Sequence, residues 1–293
     1  MYLPSNHSER NFSVQGKNIV ITGANSGIGK ETAEVLAARG AHVTMASRDI
    51  RRGEEARTDI LTRIPYANID VHCCHLASLE SIQTFIQAFK AKHDKLYALI
   101  NNAGVVTVKR ETTEDGFEMM LGVNHLGHFY LTTQLLPLLE RTEEARIITL
   151  ASGAYKSGRI HFSDPHLEKN FGIWKGYTQS KFANVLFTVE LAQRLKTNFL
   201  NVVSVHPGAV STQLGVHRET GFGKQIHAVL RPLFQNAREG AETSIHLASS
   251  RELVNGGYYY KKKRQDLKSR ALNTQLAKDF WEWSEREIAS RGF

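Results

Sequence analysis

The chain has 293 residues, of which 41% are apolar and 23% charged, so it can bury a core and is not intrinsically disordered. It has 37 Lys and Arg against 29 Asp and Glu, which gives a net charge of +8. Residues 261–270 contain six basic residues and one acid, so this short segment carries +5 of that charge. Ten residues are too few for a nucleic-acid-binding module, and no aromatic stacking platform accompanies them. We expect a solvated connection there, with contact to an anionic membrane as the alternative.

Cysteine usage and hydropathy argue against a disulfide-rich protein, a membrane-spanning protein and a protein secreted through a signal peptide. Cys73 and Cys74 are adjacent and cannot build a disulfide framework, which favours a reducing compartment. No apolar stretch approaches the ~20 residues of a membrane span. Residues 1–17 also lack the apolar core of a signal peptide. The sequence therefore predicts a cytoplasmic protein, or one that is peripheral on an intracellular membrane.

Short apolar strands alternate with helical patterns along the chain. The predicted strands are Asn18–Thr22, His42–Ser47, Ile69–Cys74, Tyr97–Asn101, Arg146–Ala151, Asn201–Val205 and Gly257–Tyr260, the last at an edge of the sheet. The predicted helices are Gly27–Arg39, Ile50–Arg63, Leu79–His93, segments within Glu114–Glu140, Trp174–Leu195, Glu239–Ala248 and Leu272–Ile288. This order predicts an α/β fold with a doubly wound parallel sheet of about seven strands and helices on both faces. With no repeat or composition break, residues 1–293 are predicted to form a single domain, with a flexible N-terminus over residues 1–13.

A glycine-rich turn joins the first strand to the first helix. This setting is typical of dinucleotide binding, because the helix N-terminus faces the pyrophosphate. The candidate contacts are Gly23, Asn25, Ser26, Gly27, Ile28 and Gly29. The spacing is GxxxGxG instead of GxGxxG, and an ordinary glycine-rich loop is the alternative. The preceding strand and following helix favour the binding turn.

The end of the second strand predicts which dinucleotide is bound. An NAD enzyme uses a carboxylate there to accept from the ribose 2′-hydroxyl. Here Ser47 is followed by Arg48, whose guanidinium suits a 2′-phosphate, and the serine hydroxyl can add a hydrogen bond. Asp49 suits the N-cap of the next helix better. We therefore predict NADP(H), with NAD(H) as the less favoured cofactor.

Tyr177 and Lys181 are four residues apart on one face of a predicted helix. An ordinary tyrosine has a pKa near about 10, so only about 0.1% of it is phenolate at neutral pH. Lowering that pKa by about 3 units requires about 4 kcal/mol of phenolate stabilisation. A neighbouring ammonium and a cationic nicotinamide ring can supply part of it. Such pairs are also common on helix surfaces, so the spacing alone does not establish an acid/base site.

The motifs occur together in the order typical of the short-chain dehydrogenase/reductase family. The resemblance is carried by Thr22–Gly29, Asn101–Gly104, Asn124, Ser152, Tyr177 with Lys181, and His206–Gly208. More narrowly, the chain resembles the retinol-dehydrogenase-like branch, which includes the WW-domain oxidoreductase, over Gly27–Ala33, Thr113–Glu118, Val123–Phe129 and Gln179–Phe187. The resemblance extends from about Val14 to the C-terminal helix. It implies a Rossmann-like fold and an NADP-dependent enzyme acting on alcohols and carbonyls.

The resemblance also implies four catalytic roles. Tyr177 would exchange a proton with the substrate oxygen, and Ser152 would hydrogen-bond the substrate carbonyl, so both are substrate-binding candidates. Lys181 would hold the nicotinamide ribose and lower the pKa of Tyr177. Asn124 would position a water that relays protons through Lys181.

Further cofactor contacts follow from the same resemblance. Asn102, Ala103 and Gly104 would lie against the ribose. The residues that would hold the carboxamide are Pro207, Gly208, Val210 and Thr212. The Leu76 backbone would contact adenine, although His75 replaces the usual aspartate before it. Residues 208–236 are predicted to form a substrate lid with a lipophilic face, with a membrane-surface helix as the alternative.

Several histidines are not assigned to a catalytic or metal site. Four consecutive residues, His72 to His75, resemble a metal cluster, but alternate strand residues point to opposite faces and cannot converge on one ion. We therefore predict no metal. His125, His128 and His206 are interpreted as packing or hydrogen-bonding residues.

Two functions stay open from the sequence. The first is an NADP(H)-dependent oxidoreductase that interconverts a carbonyl and an alcohol on a lipophilic small molecule, which is retinoid-, steroid- or quinone-like. The second is a nucleotide-binding sensor or scaffold that uses the basic segment for nucleic acid or anionic lipid. A missing catalytic residue would favour the second, and all four are present. The expected partner is a small molecule and not nucleic acid, and a homo-oligomer stays open.

Overall fold

The structure, a computed structural model, describes residues 13–195, 199–208 and 236–293. Its strands form one eight-stranded sheet in the order β3-β2-β1-β4-β5-β6-β7-β8. In chain order they are β1 Asn18–Thr22, β2 His42–Ser47, β3 Asn68–Cys73, β4 Ala98–Asn101, β5 Ala145–Leu150, β6 Leu200–His206, β7 Tyr258–Tyr260 and β8 Lys263–Gln265. Strands β1 to β7 pair in parallel, and β8 is antiparallel to β7.

The helices cover both faces of the sheet. The longer helices are α1 Gly27–Ala38, α2 Ile50–Arg63, α3 Leu79–Lys92, α4 Gly127–Glu140, α5 Ile173–Arg194, α6 Ala237–Ser249 and α7 Thr274–Ala289. One buried cluster packs under α3, α4, α5 and α7, and the second packs under α1, α2 and α6. Two apolar layers need strands that are buried on both sides, and β5 is buried at all six positions. The predicted doubly wound fold is confirmed. No helix of the described residues is long and apolar enough to cross a bilayer.

The basic segment contributes a strand that the sequence did not predict. Residues Lys263–Gln265 form β8 and are fully exposed, so they lack the alternating apolar pattern that marks a half-buried strand. Gly257–Tyr260 was predicted to be the edge, but β7 pairs on both sides and β8 is the edge instead. Lysine and arginine on an edge strand oppose pairing with another chain. Edge protection is therefore a sufficient physical account of Lys263 and Arg264, the two charges that lie on β8.

The region before α4 also differs from the prediction. Helical structure begins at Met119 and not at Glu114, because Thr112 to Glu118 form a bridged turn with Gly116 at φ 84°. The Glu118 carboxylate accepts from the Met120 and Leu121 N–H groups at 3.0 and 2.8 Å and so caps the first turn. The next turn, Gly122–Leu126, is a π-helix that runs directly into α4. Such turns are frequent at functional sites.

Candidate functional site

The glycine-rich turn is built as the sequence predicted. Gly23 and Gly27 have φ values of 64° and 54°, which side chains rarely adopt. A Cβ on Gly29 would lie 2.5 Å from the Asn102 Nδ2 and from the Gly23 carbonyl oxygen, so only glycine allows α1 to approach this closely. Ser26 is the N-cap of α1 and makes no side-chain cap bond. These features fit a pyrophosphate at the start of α1.

Two side chains tie the end of β1 to the end of β4. The Thr22 Oγ1 accepts hydrogen bonds from the Asn102 and Ala103 N–H groups at 2.9 and 3.0 Å. The Asn102 side chain donates back to the Thr22 carbonyl at 2.7 Å. The Asn102–Gly104 loop is therefore held against the glycine-rich turn, where the resemblance places the ribose.

At the end of β2, the side chains of Ser47 and Arg48 differ in whether they are free to contact a 2′-phosphate. Ser47 is fully buried and its hydroxyl donates to the Asp49 carbonyl at 2.9 Å, so its hydrogen is already used. Asp49 caps α2 by accepting from the Arg52 N–H at 3.1 Å. Arg48 is exposed. A cleft of about 440 Å³ lies nearby, lined in part by Asn25, Lys30, Arg51 and Arg52.

After β3, the His75 side chain has a local partner. Its Nδ1 lies 3.3 Å from the Glu114 Oε1, and the backbone N–H of His75 donates to the Ser81 Oγ at 3.0 Å. Leu76 is buried. The adenine contact of Leu76 stays a prediction.

The Lys181 ammonium is buried beneath Tyr177. Lys181 is 5% exposed, and its Nζ lies 5.9 Å from the centroid of the Tyr177 ring. The Nζ donates to the Leu150 carbonyl at the end of β5, at 3.1 Å, and the Asn184 amide donates to the same oxygen at 3.0 Å. Burial disfavours the charged form and lowers the pKa of Lys181 to about 8.

Tyr177 and Ser152 meet at the same edge of the sheet. Burial raises the pKa of the Tyr177 phenol, and a hydrogen bond with the Ser152 side chain acts in the opposite direction. The lowering of the Tyr177 pKa by Lys181, which the resemblance implied, stays a prediction. The neutral phenol is the dominant form and can donate a proton.

Asn124 joins three elements through its side chain. Its Oδ1 accepts from the Val105 N–H at 2.7 Å, and its Nδ2 donates to the Val105 carbonyl at 3.1 Å and to the Ser180 Oγ at 3.0 Å. Ser180 in turn donates to the Tyr177 carbonyl at 2.9 Å. The π-helical turn is thereby fixed to the chain after β4 and to the turn of α5 that contains Tyr177.

Because Gly104 has no side chain, a space is left beside the Asn124 amide and the Lys181 ammonium. A Cβ on Gly104 would lie 3.4 Å from the Asn124 Oδ1 and 3.5 Å from the Lys181 Nζ. Both polar atoms therefore border the same small volume.

The end of β6 lies beside the turn that follows Ser152. The His206 ring stacks on Tyr260 with centroids 4.7 Å apart, and its Nδ1 accepts from the Gly208 N–H at 3.2 Å. A Cβ on Gly153 would lie 3.2 Å from the His206 Nε2. Pro207 lies between His206 and Gly208 at this edge. Val210, Thr212 and most of the predicted lid, like residues 1–12, lie outside the described residues.

The structure explains the histidines that the sequence left unassigned. Within the described ranges, no group of His, Cys, Asp and Glu could hold a metal ion. Cys73, the last residue of β3, is exposed, and Cys74 is buried. His125 bonds to Ser284 at 2.9 Å. His128, however, lies between Thr22 and Asn124, a position that only the packing of α4 against β1 reveals.

A family model for short chain dehydrogenases matches residues 17–221, more than half of the chain. The chain belongs to the short chain dehydrogenase family. Retinol dehydrogenase 12 of Homo sapiens is 42% identical to this dehydrogenase over 273 residues, covering 92% of this chain and 86% of the relative. Retinol dehydrogenase 14 of Homo sapiens is 40% identical over 295 residues, covering 93% and 86%. A crystal structure of an uncharacterized protein from Mycobacterium Paratuberculosis is 34% identical, with a TM-score of 0.75 and coverage of 94% and 95%.

This dehydrogenase is therefore retinol-dehydrogenase-like, and it is an oxidoreductase that acts on alcohol and carbonyl groups. The resemblance found in the sequence is confirmed. The family also binds a nicotinamide dinucleotide, which fits the glycine-rich turn described above.

The burial of the Lys181 ammonium is expected to make the free energy of unfolding depend on pH. The pKa of Lys181 is lowered from 10.5 to about 8, so the unfolded chain binds this proton more tightly. Below pH 8 the burial costs up to about 3 kcal/mol, and this cost disappears as the pH rises from 8 to 10.5. We expect Lys181→Met to be more stable than the parent at about pH 7, with a smaller advantage at about pH 10. Denaturant unfolding at both pH values measures this.

The matched control is Lys278→Met, because Lys278 is exposed on α7. We expect it to leave the stability nearly unchanged at both pH values. If the stability gained by Lys181→Met over the parent did not change with pH, the burial argument would be contradicted.

Proposed function

We propose that the protein is an NADP(H)-dependent oxidoreductase that interconverts a carbonyl and an alcohol on a lipophilic small molecule. The observation that carries this proposal is the convergence of Ser152, Tyr177 and buried Lys181 at the carboxyl edge of the sheet. The glycine-rich turn lies at the same edge. Crevices at this edge are the usual ligand sites of doubly wound sheets.

The proton step is assigned to Tyr177. The bound dinucleotide supplies or accepts the hydride. In the reducing direction, Ser152 and Tyr177 hold the substrate oxygen, and the neutral phenol donates its proton to it. The Lys181 ammonium stabilises the phenolate that is left behind. Burial strengthens this interaction, because the charges are screened less than in water.

Asn124 is assigned to the proton path. Its side-chain Oδ1 borders the same space as the Lys181 Nζ, above Gly104. A proton from solvent can reach Tyr177 through Lys181 and a water held beside Asn124. The resemblance implied the same role for Asn124.

The preference for NADP(H) is assigned to Arg48. Its guanidinium is exposed at the end of β2, and Ser47 contributes a fixed turn instead of a hydrogen bond to the phosphate. The cleft between the glycine-rich turn and α2 is lined by three basic residues against one acid, Glu55, and this excess of positive charge favours a 2′-phosphate over a hydroxyl. The solved RhlG/NADP active-site complex of Pseudomonas aeruginosa, 25% identical with a TM-score of 0.65, supports this choice.

A lipophilic substrate is supported by the surface beside Tyr177. Trp174 is 62% exposed and its ring centroid lies 6.3 Å from that of Tyr177, and neighbouring Ile173 is 44% exposed. Large exposed apolar groups beside a reactive centre suit an apolar ligand. The names of the retinol dehydrogenase relatives agree with a retinoid-, steroid- or quinone-like compound.

The sensor or scaffold function is disfavoured, because the four groups needed for turnover are present and brought together. The lid over residues 208–236 and membrane contact through the basic segment stay predictions.

Tyr177→Phe tests the reaction. We expect turnover of NADPH with a panel of retinoid, steroid and quinone carbonyls to fall at least about 100-fold, because the proton donor is lost. NADPH affinity should stay within about twofold, measured by fluorescence titration. Tyr130→Phe is the matched control, since it removes a phenol on α4 without touching the site. Retained turnover in Tyr177→Phe would contradict the assignment. Tight NADPH binding by the parent without turnover would favour the sensor.

Arg48→Ala tests the cofactor. We expect the KM for NADPH to rise about tenfold with little change for NADH, because one charge-assisted contact to the 2′-phosphate is lost. Arg141→Ala, at an exposed arginine after α4, is the control. An unchanged ratio of the two KM values would exclude Arg48 as the determinant.

A further inference from the structure

His128 connects the nucleotide-binding turn to the π-helical turn that contains Asn124. It lies in the first turn of α4 and is 1% exposed. Its Nε2 is 2.9 Å from the Thr22 Oγ1, and its Nδ1 is 3.1 Å from the Asn124 carbonyl oxygen. One buried ring therefore spans from the end of β1 to the backbone of a proposed catalytic residue.

The positions of the hydrogens follow from the partners. A carbonyl oxygen can only accept, so the His128 Nδ1 carries the hydrogen and donates it to Asn124. The Nε2 of a neutral ring then accepts from the Thr22 hydroxyl. Thr22 can donate there because its Oγ1 already accepts from the Asn102 and Ala103 N–H groups. The Ile100 carbonyl is a second acceptor for the Thr22 hydroxyl at 3.5 Å, and the contact with His128 at 2.9 Å is the shorter one.

The neutral form of the ring is strongly favoured. Burial lowers the pKa of His128 to about 4, with a further contribution from the positive charge of Lys181 and an opposing one from the bond to Asn124. The ring therefore keeps one tautomer over the working pH range, which suits a fixed spacer and not a proton donor.

The Asn124 carbonyl lies in a turn where the regular helical bonds are altered. The Gly127 N–H donates to the Gly122 carbonyl, five residues back, as a π-helix requires. A side-chain donor at the Asn124 carbonyl fixes the orientation of that peptide group. The amide of the same residue borders the space beside the Lys181 Nζ.

We infer that His128 is a positioning residue, which transmits the geometry of the nucleotide-binding turn to Asn124 and so orients the proton path to Lys181 and Tyr177. This inference rests on the proposed function. It assigns to one histidine the link between cofactor binding and the proton step, through Thr22 on one side and the Asn124 peptide on the other.

Two amide substitutions separate the two halves of this link. In His128→Asn, the side-chain amide ends where Nδ1 was, so it can still donate to the Asn124 carbonyl. In His128→Gln, the amide ends where Nε2 was, so it can still accept from Thr22 but loses the bond to Asn124. His128→Leu removes both bonds. All three variants remove the same buried ring. A difference between the two amide variants therefore reports which bonding partner is kept, and the denaturant stability of each variant reports the lost packing.

The test is the pH profile of kcat for NADPH-dependent reduction, together with the NADPH affinity and the denaturant stability of each variant. We expect His128→Asn, which loses only the bond to Thr22, to retain kcat within about threefold but to bind NADPH about fivefold more weakly, because the nucleotide-binding turn loses its link to α4. We expect His128→Gln to keep its NADPH affinity within about twofold and, like His128→Leu, to lose about tenfold in kcat, the effect of one hydrogen bond on a rate. The pH profile should shift in the last two variants only. Equal kcat values and pH profiles in the Asn and Gln variants, or losses that follow stability alone, would overturn the inference.

A second readout does not depend on turnover. The phenol of Tyr177 is titrated in the NADP-bound protein by ultraviolet difference absorbance, with Tyr177→Phe as the blank. We expect a shifted titration in His128→Gln and an unshifted one in His128→Asn, and the same midpoint in both would overturn the inference. Absence of turnover in the parent protein would instead reject the proposed function. The two failures are therefore distinguishable.

Discussion

The Lys181 ammonium lies below the Tyr177 ring and donates to the Leu150 carbonyl, inside a part of the protein from which water is largely excluded. Burying a charge is costly unless polar groups are aimed at it. The carbonyl at the end of β5 is one such group, and its position is fixed by parallel pairing with β4 and β6. The sheet therefore defines where the ammonium can be, and the ammonium defines where a phenolate can be stabilised.

The remaining polar groups of the site hold the elements that surround this charge. Asn124 fastens the chain after β4 to α5, and Thr22 with Asn102 fastens the same chain to the glycine-rich turn. The Thr22–Asn102 and Asn124–Ser180 bonds join residues that are 80 and 56 positions apart in the chain, so they depend on the assembled tertiary structure. A site with this construction is preorganised, because little has to move when the substrate oxygen and the dinucleotide arrive.

The sequence was sufficient for the fold, and it nominated the candidate site residues that the structure brings to one edge of the sheet. Apolar runs such as Asn18–Thr22 identify buried strands, and the separate motifs around Ser152 and Tyr177 are informative when they occur in order. The role of His128 was not predictable, because it depends on α4 placing a ring between two particular atoms. The hydrogen bond from the Ser47 hydroxyl to the Asp49 carbonyl was not predictable either, because it also depends on the three-dimensional placement of two atoms. β8 was missed because Lys263–Gln265 contains no apolar residue, and its strand pairing comes from the neighbouring β7.

Burial beside Tyr177 reduces the affinity of the Lys181 side chain for its proton. The direct measurement is a pH titration of the Lys181 side chain by NMR on protein labelled at the lysine ε-carbon, with Lys181→Met to assign the signal. We predict a midpoint near pH 8. A midpoint at the ordinary lysine value of 10.5 would contradict it, because the ammonium would then be solvated and not part of a buried acid/base site.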